Sequence, residues 1–476
     1  MIEITLSIDV EGNVPYYVQL YRYFQQEIKS KHIPAGTRLP AIRRLSEHLH
    51  ISRNTVEAAY MQLIAEGYVE SRPRSGLYVV ELEEEFSLAK DKVKRSSIRK
   101  MVTEPKKTIP QTTETRCDFK NGTIDLRYFP LTVWNRLSYQ TMQDVERYHL
   151  SYYGDPQGEL GLRNQLAKYL RQSRGVQCSA EQIIVGAGSQ HLLMLLCRLL
   201  GSEEQSIAVE EPGYNGAKSV FAQLNFNMLP IHLDEDGINL ELLKQSEAKL
   251  VFVTPSHQFP LGMILPIQKR LKLLQWAIET EGLIIEDDYD SEFRYHGRPI
   301  PSLQGLDTNG RVIYLGTFSK SLLSAIRISY MVLPEHLLKK FDLIKASLEP
   351  TASIIHTYTL ERFMLEGWWE KHLRRMKKIY QKKHVFLLSV ITKYLGDSVK
   401  VIGQDSGLHI VLEVLNGFSE SELINRAAKK GVKIYSVSQY SITPNELSAP
   451  RILLGFGKLT DNELEEGISL LQEAWQ

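Results

Sequence analysis

Cysteine is scarce in this chain: three in 476 residues, Cys117, Cys178 and Cys197. The number is odd and the spacing fits neither a disulfide framework nor a metal-binding motif. A stapled secreted scaffold is therefore excluded, and reduced thiols in a cytosol are expected. Charge of one sign is also missing. Lys and Arg number 57 against 56 Asp and Glu, a net charge of +1, so no bulk electrostatic footprint announces nucleic acid or membrane. The most apolar run, HLLMLLCRLL, is short and contains Arg198, so nothing reads as a membrane span. The opening MIEITLSIDVEGN carries acids where a secretory signal needs basic residues. These features predict a cytoplasmic protein. No internal repeat is visible.

What the chain has is length and a balanced composition. With 43% hydrophobic and 24% charged residues, it suits a globular protein of two or three domains. Residues 1–81 read as one unit. YYVQLYRYFQQEIKS, AIRRLSEHL and RNTVEAAYMQLIAEG have helical spacing, Ser52 is an N-cap candidate, and Gly67 ends the third helix. YVESRPRSGLYVV reads as two strands around a turn. Three helices and a hairpin make a winged helix-turn-helix. Residues 82–116 mix charge, Ser, Thr and Pro with no sustained apolar face, as a solvated linker does. From 117 to 476, short β-branched runs (EQIIVG, SIAVEE, LVFVTP, GLIIEDD, VIYLGT) alternate with helical stretches. That is an α/β pattern with a parallel sheet and covering helices. HIVLEVL, VKIYSV and RILLGFG then suggest a smaller α/β subdomain.

Ligands of open α/β sheets bind at the carboxyl ends of the strands, and those ends carry chemistry here. IIVG runs into GAGSQ, where the N–H groups of Gly188, Ser189 and Gln190 at a helix start suit a phosphate. AVEE runs into PGY with Tyr214, and LIIE into DDYD with Asp287 and Tyr289. VIYLG runs into TFSK with Thr317, Ser319 and Lys320, followed by Arg327. Pyridoxal phosphate needs such an inventory: a lysine for the Schiff base, a carboxylate for the ring nitrogen, an aromatic face, and hydroxyls with an arginine for the phosphate. Reduced hydration and the nearby Arg327 would keep the lysine amine neutral.

In this order the motifs YGDPQGELGLR, IIVGAGSQ, EEPGY, PSHQFPLG, IIEDDYDSEF and TFSKSLLSAIRISY resemble those of a fold-type I aminotransferase. The resemblance implies that Lys320 carries pyridoxal 5′-phosphate and that Asp287 pairs with its ring nitrogen. It also implies that Tyr289 lies near its phenolic oxygen and Tyr214 by the ring. Thr317, Ser319, Arg327 and the Gly188–Gln190 turn would hold the phosphate, and Tyr153 would reach a neighbouring subunit's site. Two positions depart from the pattern. Phe259 stands where those enzymes have an asparagine on the phenolic oxygen, which weakens the case for efficient transamination. Arg451 lies further from Gly455-Phe456 than the usual carboxylate-binding arginine, leaving a ligand clamp and a structural ion pair both open.

LPAIRRLSEHLHISRNTVEAAYMQLIAEGYVESRPRSGLYV resembles the GntR-type winged helix. Residues 1–80 hold nine Lys/Arg and eight Asp/Glu, so recognition must come from arrangement. The resemblance implies DNA contacts from Ser52, Arg53, Asn54 and Thr55 at the recognition-helix start, from Arg43 to phosphate, and from Arg74 and Ser75 at the wing tip. Arg72 reads more as a solvated charge than as a DNA contact. The two units together resemble the MocR/GabR family of bacterial transcriptional regulators. That implies a homodimer on double-stranded operator DNA, with pyridoxal phosphate and a small amino-compound effector, sensing in place of turnover. A sensor of the cofactor itself and a working aminotransferase with a DNA-binding attachment are the alternatives.

Overall fold

The computed structural model describes residues 14–73, 75–81, 115–144, 146, 150–201, 205–295, 300–443 and 449–476. Backbone packing divides the chain into two compact units, Met1–Ile109 and Pro110–Gln476. Most of the expected linker, 82–114, lies outside the described residues.

The first unit packs helices α1 (Tyr16–Lys29), α2 (Ile42–His48) and α3 (Arg53–Ala65) against strands β1 (Val69–Arg72) and β2 (Gly76–Val79). Leu20, Phe24 and Ile28 form the buried stripe of α1, and Val56, Ala59, Tyr60 and Leu63 that of α3, the spacing of an amphipathic helix on a core. Ser52 caps α3 by accepting the Thr55 N–H at 3.1 Å, which satisfies one orphan donor of the first turn. Gly67 leaves the helix with φ 77°, a conformation that costs glycine least. The strands pair antiparallel from Val69–Val79 to Arg72–Gly76. Residues 36–39 pair with the other edge of β2, with Leu39 N donating to Leu77 O at 2.8 Å.

The second unit opens with β3 (Cys117–Asp118) and is built on an eight-stranded sheet. Its strands are β4 (Ile183–Gly186), β5 (Ser206–Glu211), β6 (Asn227–Asp234), β7 (Gly237–Ile238), β8 (Leu250–Val253), β9 (Leu283–Asp288), β10 (Val312–Thr317) and β11 (Ser329–Val332). They lie in the order β4-β11-β10-β9-β8-β5-β6-β7. Alternation feeds both faces: Ile285, Ile313 and Leu315 pack with Leu192 and Leu196 on one side. Val251, Ile284 and Val312 pack with Leu273 and Trp276 on the other. Burial of both faces explains why these strands read as continuous apolar runs. The all-parallel expectation needs correction at two places. β11 runs antiparallel between β4 and β10, and β7 antiparallel to β6. Parallel neighbours need a long crossover, and the short stretch between β10 and β11 holds only two tight turns.

The smaller sheet contains β12 (Val399–Ile402), β13 (His409–Val414), β15 (Tyr435–Ser436) and β16 (Arg451–Gly455), while β14 (Val432–Lys433) pairs with β3. The helices Trp368–Tyr394 and Asp461–Trp475 cover it through Leu387, Ile391, Leu464 and Ile468. All three cysteines are buried free thiols. Among the described residues no helix is long and apolar enough to cross a membrane.

Candidate functional site

β9 and β10 are parallel neighbours, with Asp287 opposite Leu315, so their carboxyl ends open side by side. Alternation along β9 separates its acids. Glu286 accepts the backbone N–H of Leu303 and Gln304, both at 2.8 Å. Asp288 is held by Arg174 Nε at 2.7 Å and the Tyr314 hydroxyl at 2.6 Å. Asp287 instead lines a cavity of about 490 Å³. Burial, reinforced by Asp288 and Asp290, raises its carboxyl to about 7, and no protein hydrogen bond holds it among the described residues.

β10 leads into a single π-helical turn, Ser319–Leu323, then a 3-10 turn, Ser324–Ile326, that closes on Arg327 with φ 56°. Such irregular backbone concentrates at functional sites. Phe318 anchors the turn edge-on against Trp369, with centroids 5.0 Å apart, and His372 Nε2 lies 2.9 Å from Ser321 O. Lys320 is thereby delivered to the cavity. Burial lowers its pKa while the carboxylates of Asp290 and Asp287 oppose that shift. The expected help from Arg327 is not what acts on it. The arginine donates to Ala187 O at 3.1 Å.

The same cavity is lined by Ser189, Tyr214, Tyr289, Thr317, Ser319 and Arg327. Gly188, with φ 101°, precedes the helix Ser189–Leu200, and a Cβ there would collide with the Arg327 guanidinium. Thr317 bridges the hydroxyls of Ser319 at 3.0 Å and Ser329 at 2.8 Å. Gln190 does not line the cavity; its amide donates to Gly216 O at 3.1 Å. Phe259 is buried in an aromatic cluster, edge-on to Tyr214, Tyr289, His409 and Tyr440.

Two expected residues stand elsewhere. Arg451 is not a lining residue: its Nε and Nη2 both lie 2.9 Å from Glu413 Oε2, the residue opposite it on β13. Tyr153 is 79% exposed and likewise not part of the lining. Sequence reasoning missed Lys120, Asn121, Tyr435, Gln439 and Tyr440, all of which line the cavity. It also missed the buried trio His257, Asp290 and His409. None of these has a local signal, because chain topology alone gathers them.

Two family descriptions match the chain. Residues 136–469 match "Aminotransferase class I and II" and residues 16–79 match "Bacterial regulatory proteins, gntR family". The chain is 43% identical to the uncharacterized HTH-type transcriptional regulator YdeL of Bacillus subtilis (strain 168), over all of both chains. It is 35% identical to the probable rhizopine catabolism regulatory protein MocR of Rhizobium meliloti, over 99% of this chain and 96% of that one. The chain belongs to the MocR/GabR family of transcriptional regulators. Among solved structures, the kynurenine aminotransferase of Pyrococcus horikoshii in complex with PMP superposes with a TM-score of 0.70. It is 25% identical, over 82% of this chain and 97% of that one.

In this MocR/GabR-family chain the winged helix presents Arg53 and Asn54 exposed at the start of α3. Ser52 and Thr55 are bonded to each other there at 2.8 Å. Arg43 is exposed and pairs with Glu47 at 3.0 Å. Ser75 bonds the Tyr78 hydroxyl at 2.7 Å. Arg72, with its side chain half exposed, pairs with Glu70 at 2.7 Å and lies 4.4 Å over the Tyr78 ring. Arg74 lies outside the described residues.

Proposed function

We propose that this transcriptional regulator holds its cofactor on Lys320 and uses it to sense a small amino compound. As a homodimer it passes the result to operator DNA through its winged helices. The cofactor is pyridoxal 5′-phosphate, supported by the match to class I and II aminotransferases and by the neighbour solved with PMP. The observation that carries the reading is the pairing of Lys320 and Asp287 in one cavity, the lysine half-buried and the carboxylate buried, with neither held by a protein hydrogen bond among the described residues. A buried carboxyl raised to about 7 is short of a cationic partner, and a protonated ring nitrogen supplies one. The collisions that a side chain at Gly188 or Gly122 would make, with Arg327 and Lys320 respectively, mark close approaches that keep the cavity open.

When bound, the group contributes an aldehyde that condenses with amines. The chain supplies the rest. Desolvation shifts the Lys320 amine toward its neutral, nucleophilic form. Asp287 would hold a proton at the ring nitrogen, and Tyr214 would lie by the ring. Ser189, Thr317, Ser319 and Arg327 would hold the phosphate. With Arg451 tied to Glu413, the basic lining residue left among the described residues for an effector's acidic group is Lys120. Phe259 offers no hydrogen bond to the phenolic oxygen, so the site binds amines better than it turns them over.

The test is direct. The purified full chain given pyridoxal phosphate becomes yellow, and borohydride fixes the group to Lys320, located by peptide mass. Lys320→Ala folds but carries none covalently. A wild-type chain that stays colourless overturns the reading.

A further inference from the structure

The geometry points to a buried relay, Asp290–His257–Tyr289, in which Asp290 and His257 are positioning residues that aim the Tyr289 hydroxyl proton into the cavity. The inference rests on the cofactor reading above and gives Tyr289, already expected near the phenolic oxygen, a fixed direction for its proton.

The protons can be placed from the donor and acceptor roles. His257 and Asp290 are 1% and 3% exposed. Both carboxylate oxygens of Asp290 approach His257 Nδ1, at 3.0 and 2.9 Å. An ionised carboxylate only accepts, so Nδ1 carries the hydrogen. The Tyr289 oxygen lies 2.9 Å from the same nitrogen; a protonated Nδ1 has no lone pair to accept with, so the oxygen at most shares that one hydrogen with Asp290 and its own proton is free to point away. Tyr289 lines the cavity, so that proton faces whatever occupies it. On the other side of the ring, His257 Nε2 is buried without a partner. A proton there would bury an N–H with nothing to receive it, so the ring hydrogen belongs on Nδ1, where Asp290 accepts it.

The surroundings support this arrangement. His409 on β13 packs against His257 with ring centroids 4.9 Å apart. Its Nε2 donates to Pro260 O at 2.9 Å, and burial together with His257 holds its pKa well below the ordinary value. Gly407, with φ 79°, leaves no room for a side chain: a Cβ would collide with His257 and come within 2.7 Å of Asp290 Oδ2. The acidic groups whose charge acts on Tyr289 are Asp290, Asp287, Glu210 and Asp288.

The experiment follows the bound chromophore by absorbance during a pH titration of the full-length holoprotein, with no substrate present. A proton donated to the ring oxygen draws off its charge and favours the deprotonated chromophore. His257→Phe should therefore move the midpoint up by about one unit, a tenfold change in the proton equilibrium. Tyr289→Phe should do the same, and the double variant should shift no further than Tyr289→Phe alone, as expected of residues acting in series. His257→Gln, whose amide can still donate to Tyr289, should recover part of the shift. If His257→Phe fails to fold, Asp290→Asn and Gly407→Ala carry the test and should move the midpoint in the same direction. An unchanged midpoint in these variants, or additive shifts in the double variant, overturns the relay. A wild-type protein with no chromophore overturns the cofactor reading instead.

Discussion

Replacing Asp287 with asparagine should stabilise the cofactor-free protein while crippling cofactor retention. In the folded chain this carboxyl is raised to about 7 by burial and by Asp288 and Asp290, against about 3.9 when unfolded. A raised carboxyl costs nothing below its unfolded value. The cost grows as the pH climbs through the window from about 4 to about 7, then levels off. Three units at 1.36 kcal/mol each set a ceiling of about 4 kcal/mol above pH 7, and between a third and a half of that at about pH 5. Asp287→Asn removes this term and keeps the shape. Scanning calorimetry of the stripped full chain at pH 5 and pH 8.5 measures it. The variant should melt higher than wild type at both, with the gap at pH 8.5 two to three times that at pH 5. Pyridoxal phosphate, by pairing with the carboxylate, should raise the wild-type melting temperature at pH 8.5 and barely move the variant. A gap independent of pH, or a variant that gains as much from the cofactor as wild type, refutes the reasoning.

Arg53→Ala should cost roughly 1–3 kcal/mol of operator affinity and relax preference at one base position, measured by binding to operator variants. Arg43→Ala should weaken all sequences alike and lower the salt slope by about one; equal behaviour of the two refutes their separate roles. Ser52→Ala removes the cap of α3 and should destabilise the isolated winged helix by about 1 kcal/mol in urea melts. Titration with an amine effector should shift the chromophore spectrum and change DNA affinity, with turnover well below ~10 per second when a keto acid is supplied. Turnover near that rate, with DNA binding indifferent to the amine, points to an aminotransferase. No response to any amine points to a sensor of the cofactor itself.

Much of this was legible in the chain because local chemistry carried it. Ser52 before a periodic helix announced its cap, and Lys320 after an apolar run announced a strand end. Register and topology were not legible. Arg451 finds Glu413 only because β13 and β16 pair in one register. His257, Asp290 and His409 come from three separate segments, with no spacing to betray them. The reversal of β11 was hidden because SYMV is buried on both faces, and a short apolar run has no direction in its composition.

The placement of Lys320 between β10 and β11 restricts how this protein can change its length. Every residue of β11 is buried, and the strand pairs with β10 on one side and β4 on the other. Losing or gaining one residue between 318 and 328 must either re-form the two turns that deliver Lys320 or slip β11 by one, and a slip would turn each β11 side chain to the opposite face and spoil both pairings at once. Most connections in a sheet of this kind lengthen and shorten freely. This one cannot, so variation in what the pocket accepts has to arise by substitution around the lysine, or by insertion in segments that border the cavity without threading the sheet.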